Sequence, residues 1–162
     1  MIDLKQKIVP FLWYPRDADV AAQRYLAVFG EGRILHSQHW GEGGPVPAGS
    51  LMAVTFELAG QTMVAFNGGP HEAFNDAASM FVTCDSQAEI DRLWEGLTAD
   101  GGKPIQCGWL HDPWGLRWQI VPRGLLRMMA DPDPARATRV TQAMLASVKF
   151  DMAALQRAYE GG

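Results

Sequence analysis

Apolar and polar positions run along the chain in two rounds of one pattern. Residues 7–14 form an apolar run, Ile8-Val9-Pro10-Phe11-Leu12-Trp13-Tyr14, with the length and aromatic content of a strand, although Pro10 cannot donate to a ladder. Pro15-Arg16-Asp17 breaks the run. Asp17 or Asp19 then caps a helix that places Ala21, Tyr25, Val28 and Phe29 on one face, and Gly30 stops it. Residues 33–40 alternate as a strand, 41–49 read as a loop, and 52–58 and 61–66 are two strands joined tightly at Ala59-Gly60. Asn67-Gly68-Gly69-Pro70 closes this β-α-β-β-β unit.

The order then repeats. Residues 80–84 read as a strand, and Ser86 with Glu89 forms a capping box ahead of the stripe Ile90, Leu93, Trp94 and Leu97, which Gly101-Gly102 ends. Three strands follow, over 103–107, 109–111 and 116–121. The last two flank Asp112-Pro113-Trp114-Gly115, where Pro113 presets φ, Gly115 can supply a positive φ and Asp112 caps its own turn. Leu116, Trp118 and Ile120 alternate with Arg117, Gln119 and Val121, so Gln119 is aimed at a single sheet face. A constant offset of 68 lays Trp13 on Phe81, Asp17 on Asp85, Arg24 on Arg92, Tyr25 on Leu93 and Phe29 on Leu97. In the later strands Gly60 lies best on Gly115, which sets Val64 opposite Gln119.

The fold class predicted is therefore α+β, with two tandem βαβββ modules (about 1–70 and 71–123) forming cupped mixed sheets, and a C-terminal helical extension over 124–162. In that extension Asp131-Pro132-Asp133-Pro134 supplies a linker and an N-cap, and Ala137, Val140, Met144 and Val148 make one apolar stripe. A second short helix starts at Asp151 with Met152, Leu155 and Tyr159 inward. These helices must cover an open side of the sheet or a partner subunit, and a homodimer is the simplest expectation.

Composition narrows the function classes. With 162 residues and 48% apolar content the chain can bury a substantial core. A net charge of −4 with scattered Arg and Lys argues against nucleic acid, whose binders need a basic patch. No apolar run reaches the roughly 18 residues of a membrane span. Cys84 and Cys107 stand in no CxxC spacing and no leader-like segment opens the chain, so a reduced, cytoplasmic protein is expected.

Three stretches stand out in order along the chain: Phe66-Asn67-Gly68-Gly69-Pro70, Glu89-Ile90-Asp91-Arg92-x-Trp94, and the segment from Cys107-Gly108-Trp109 through Asp112-x-x-Gly115-Leu116-x-Trp118-Gln119-Ile120-Val121-Pro122. In that order, on paired βαβββ modules over residues 7–122, they resemble the vicinal oxygen chelate superfamily, which includes glyoxalases, extradiol dioxygenases and the bleomycin- and fosfomycin-resistance proteins. Within it they are similar to the PhnB-like branch, often labelled demethylubiquinone methyltransferase-like. The tail motifs Asp131-Pro132-Asp133 and Gln142-x-Met144 resemble the same branch.

The resemblance implies metal ligands on the first and last strand of each module. Carried over by position, these fall at Pro10 or Phe11, at Ala78 or Ser79, at about Val64 and at Gln119, and none is His, Glu, Asp or Cys. A divalent ion needs imidazole or carboxylate donors, so no metal site and no cofactor are expected. Methyl transfer finds no Rossmann-type turn either, because Gly41-Glu42-Gly43-Gly44 runs into Pro45 and Pro47 instead of a helix. His71-Glu72 lacks the second His of a zinc-protease motif.

What remains is an aromatic pocket for a small molecule, drawn from Phe11, Trp13, Trp40, Phe66, Trp109 and Trp118. Core packing explains aromatic residues equally well, and Tyr25, Phe29 and Trp94 sit at helical core spacing. Polar candidates are Gln119, Ser79, Thr62 and Asn67. Gln119 either meets a ligand or satisfies a neighbouring backbone group. Cys107 is either a nucleophile, activated by His111, His36 or His39, or a structural thiol. The expected function is small-molecule binding without a glyoxalase-type metal site. The alternative is an enzyme of the same fold (a lyase, isomerase or transferase) acting through Gln119, Asn67, Ser79 or Cys107.

Overall fold

The computed structural model describes Leu4 and residues 6–162. The chain forms two compact units, the first ending at Ala73 and the second running Phe74–Gly162. The first contains β1 (Phe11–Tyr14), α1 (Ala18–Phe29), β2 (Gly32–His39), β3 (Leu51–Leu58) and β4 (Gln61–Asn67). The second contains β5 (Met80–Cys84), α2 (Gln87–Thr98), β6 (Lys103–Pro104), β7 (Trp109–His111) and β8 (Arg117–Pro122), followed by α3 (Leu125–Met129), α4 (Pro134–Ala146) and α5 (Met152–Glu160). Among the described residues no helix is long and apolar enough to cross a membrane.

Each unit holds one four-stranded mixed sheet, with orders β1-β4-β3-β2 and β5-β8-β7-β6, so the βαβββ pattern read from the sequence is present twice. The parallel pair in the first is β1 with β4, and in the second β5 with β8. The registers align Phe11 with Val64 and Phe81 with Gln119, which matches Val64 to Gln119 as the Gly60–Gly115 alignment requires. The same registers make Phe11, not Trp13, the counterpart of Phe81. The helices start at Ala18 and Gln87, an offset of 69, so the constant offset of 68 is corrected.

In the first unit the period-2 pattern sorts the sheet into two faces. Leu12, Tyr14, Val54, Phe56, Leu58, Met63 and Ala65 are buried with Ala18, Ala21, Ala22 and Tyr25 of α1. The Tyr14 and Tyr25 hydroxyls lie 3.0 Å apart in that core and satisfy each other. Gly30 ends α1 at φ 69, with its N–H donating to Leu26 O. Asp17 occupies the N-cap without a side-chain cap bond. The acceptor comes from β4 instead, where Asn67 Oδ1 takes the Ala18 N–H at 2.9 Å.

The second unit packs Cys84, Leu110, Trp118 and Ile120 with Ile90, Leu93, Trp94 and Leu97 of α2. Ser86 caps α2 by accepting the Glu89 N–H at 3.2 Å, while the Glu89 carboxylate reaches back to the Asp85 N–H at 2.8 Å. The predicted strand over 103–107 shrinks to Lys103–Pro104. Beyond it Cys107 adopts φ 57, Ile105 N–H donates to Trp109 O and Trp109 N–H donates to Gln106 O, which makes a tight turn into β7.

The extension covers the second unit itself. Val121 of β8, Leu125, Val140, Phe150 and Leu155 form one buried cluster, with Met128, Met129, Ala143, Met144 and Tyr159 around it. Gln87 ties the extension to α2, donating to Phe150 O at 3.1 Å and accepting from Met152 N at 2.9 Å. Asp133 and Asp151 cap α4 and α5, and Pro134 stands in the first turn of α4. Val148, expected on the apolar stripe, lies past the end of α4 and is 44% exposed.

Candidate functional site

Three connections at one end of the first sheet enclose a cleft of about 620 Å³. They are the β1–α1 junction with Pro15, Arg16 and Asp19, the β2–β3 loop with Trp40, Pro45, Val46, Pro47 and Ser50, and the segment after β4 with Gly68 and Gly69. Trp13, Leu51, Phe66 and Asn67 complete the wall from the strand ends. Pro45 and Pro47 fix φ within the β2–β3 loop and offer no backbone N–H there. Its base is closed by Trp40 N–H to Ser50 O at 2.9 Å and Gly49 N–H to Trp40 O at 2.8 Å.

The aromatic side of the cleft is built on the β1–β4 pairing. Register puts Trp13 beside Phe66, and their rings meet edge to face at 5.2 Å and 88°. Phe11, 59% exposed, continues the group with its ring 5.4 Å from Phe66. Trp13 Nε1–H donates to Gly69 O at 3.0 Å, which fixes the indole plane. Gly68 must be glycine for this, since a Cβ there would lie 2.2 Å from Trp13 Cε2 and 2.5 Å from Phe66 Cε1.

Asn67 joins the walls. Its Oδ1 accepts from Ala18 N and its Nδ2 donates to Leu51 O at 3.3 Å, tying β4 to α1 and to the start of β3. Each end of the amide thus holds one backbone group of the cleft wall.

The other sequence candidates are distributed as follows. Thr62 is buried on the sheet face that carries Phe11, Trp13 and Phe66. In the second unit Gln119 stands between Phe81 and Trp109 in register, and its Nε2 donates to Ser79 Oγ at 2.7 Å. Trp118 points to the opposite face, is 1% exposed, and gives its indole N–H to Asp112 Oδ2 at 3.0 Å, so it belongs to the core with α2. Cys107 is half-buried, and its backbone N–H donates to Ser147 O in the extension at 2.8 Å. His111 Nδ1 is engaged with Asp112 O at 3.1 Å. The structure thus brings Trp13, Trp40, Phe66 and Asn67 into one cleft, and places Ser79, Trp109 and Gln119 on one face of the second sheet.

Arg16, Asp19 and the loop residues Pro45, Val46 and Pro47 were absent from the sequence candidates. The signal is a proline-bounded apolar residue, Val46, six positions after Trp40, but as loop chemistry it carries no direction.

At the positions where the superfamily resemblance would place metal ligands stand Pro10 or Phe11 with Val64 in one unit, and Ala78 or Ser79 with Gln119 in the other. Among the described residues, no three His, Cys, Asp or Glu side chains converge on a point where an ion could be held. Apolar side chains and a neutral amide do not fit a divalent cation.

A family model described as 3-demethylubiquinone-9 3-methyltransferase matches residues 6–121. Among solved structures, a PhnB protein from Bacillus cereus is 29% identical, with a TM-score of 0.65 over 72% of this chain and 99% of its own. Protein PA1353 from Pseudomonas aeruginosa shares the fold at 22% identity and a TM-score of 0.60, over 73% of this chain and 98% of its own. The fosfomycin resistance protein FosX from Mesorhizobium loti shares it at 14% identity and 0.55, over 80% and 100%. A search of the curated proteins finds no match. With paired βαβββ units and a family match over most of its length, the chain belongs to the PhnB-like 3-demethylubiquinone-9 3-methyltransferase family.

Proposed function

We propose that the protein binds a small molecule in the aromatic cleft of its first unit, and holds it by shape and stacking without a metal ion. The observation that carries this is the cleft itself, about 620 Å³ walled by Trp13, Trp40 and Phe66. That volume falls within the roughly 300–1,000 Å³ of ordinary ligand pockets, and aromatic walls suit planar or apolar molecules. The metal-free reading rests on the side chains at Phe11, Val64, Ser79 and Gln119, which offer no carboxylate or imidazole. Methyl transfer, which the family's name suggests, has less support here, since the Gly41–Gly44 run leads into a proline loop and the sheets are mixed instead of doubly wound.

Two cysteines in no paired spacing support a cytoplasmic setting. The expected homodimer is tested by light scattering on the full chain. A form truncated after Leu126 is not a fair control, because it would lack Val140, Phe150 and Leu155 of the second unit's core.

A thermal-stabilisation screen of metabolites and drugs, with each hit followed for turnover, tests the proposal. Hits that stabilise the wild type unchanged in composition support binding. A product formed by the wild type and lost in Gln119→Ala would replace it with an enzymatic reading at the Gln119–Ser79 pair.

A further inference from the structure

We infer that the ligand of the first-unit cleft is zwitterionic, an apolar ring or chain carrying one anionic and one cationic group. This rests on the cleft being a ligand site, as proposed above.

The cleft wall is apolar except for Arg16, Asp19, Ser50 and Asn67. Asn67 already holds Ala18 N–H and Leu51 O with the two ends of its amide. Arg16 and Asp19 differ. Neither side chain makes a hydrogen bond or ion pair among the described residues, and they do not pair with each other although three residues apart. Arg117 with Asp76, Arg123 with Asp85 and Lys149 with Asp91 show the pairing that neither of these two groups makes.

Two opposite, unpaired charges on one wall select against singly charged ligands. An anion gains at Arg16 what it loses at Asp19, a cation the reverse, and only a molecule with both signs gains at each. The Arg16 guanidinium offers a planar fork to a carboxylate or phosphate. Asp19 is half-buried, and the faces of Trp13 and Trp40 add attraction for an ammonium group. Asp19 also stands in the first turn of α1, where a carboxylate favours the helix N-terminus whatever the ligand. The test separates that structural role from recognition.

Isothermal titration of the full chain with four phenyl compounds makes the distinction: phenylalanine (zwitterion), phenethylamine (cation), 3-phenylpropanoate (anion) and 3-phenylpropanamide (uncharged). Phenylalanine should bind about tenfold or more tightly than each of the others. Arg16→Gln should abolish its advantage over phenethylamine, and Asp19→Asn its advantage over 3-phenylpropanoate, with the fold of both variants checked by circular dichroism. If the amide or either singly charged compound binds as well as phenylalanine, and Trp40→Ala removes that binding, the cleft stands as a ligand site and the zwitterion assignment falls. If none of the four binds at millimolar concentration, the assignment and the cleft reading fall together.

Discussion

Asp112 Oδ2 accepts the indole N–H of Trp118 at 3.0 Å inside the core of the second unit. Its Oδ1 takes the backbone N–H groups of Trp114 and Leu116, each at 3.0 Å. One fully buried carboxylate therefore closes the β7–β8 turn and anchors the largest buried side chain of that core. Asp112→Ala leaves three donors without an acceptor and should cost about 2–4 kcal/mol, read from urea denaturation. Asp112→Asn keeps one carbonyl oxygen and should cost less. A loss under about 1 kcal/mol for Asp112→Ala would show that water or backbone replaces the carboxylate.

The cap that Asn67 supplies to α1 predicts a coupled effect. Asn67→Ala should destabilise the chain by about 1 kcal/mol, as loss of a helix cap does. Because the same amide holds Leu51, it should also weaken every ligand of the cleft and alter the tryptophan emission. Loss of stability with unchanged binding would restrict Asn67 to the helix.

Two glycines are predicted to tolerate no side chain, for different reasons. At Gly68 a Cβ displaces the Trp13 and Phe66 rings, so Gly68→Ala should change near-UV circular dichroism and reduce binding more than stability. At Gly108 φ is +77 and a Cβ would lie 2.3 Å from Phe150 Cε2 and 2.9 Å from Ile120 O. Gly108→Ala should therefore undock the extension and cost more than about 2 kcal/mol, with new protease cleavage beyond Pro122.

Much of this was legible in the chain. Period-2 and period-3.6 patterns located both helices and most strands, and the Asp-Pro-Trp-Gly turn and both extension caps are where local chemistry puts them. The failures are tertiary. The strand expected over 103–107 is broken by the left-handed Cys107 and by the claims of Ser147 and Val148 on the Cys107 and Gly108 amides. Trp118 was aromatic, hence a pocket candidate, until strand parity and Asp112 assigned it to the core. Arg16 and Asp19 look like ordinary surface charges in sequence, because only the fold shows which charges lack a partner.

Cys84 gives a pH prediction. Burial first, then the neighbouring Glu89 and Asp85 carboxylates, push its thiol up from 9.0 to about 12. The neutral thiol is favoured in the folded chain, so this contribution is complete below pH 9 and is lost as pH rises from 9 towards about 12. Denaturation midpoints should fall across that window, and Cys84→Ala should flatten the fall. At neutral pH iodoacetamide should label Cys107 and spare Cys84 until the chain is unfolded.

Metal-independent binding in the aromatic cleft is read by titrating the strongest screening hit into wild type and Trp40→Ala, both in excess EDTA. Saturable one-to-one binding to the wild type with the chelator present, weakened at least about tenfold in Trp40→Ala, is the predicted result. Binding that disappears on chelation and returns with a divalent ion, or that is unchanged in Trp40→Ala, would contradict it.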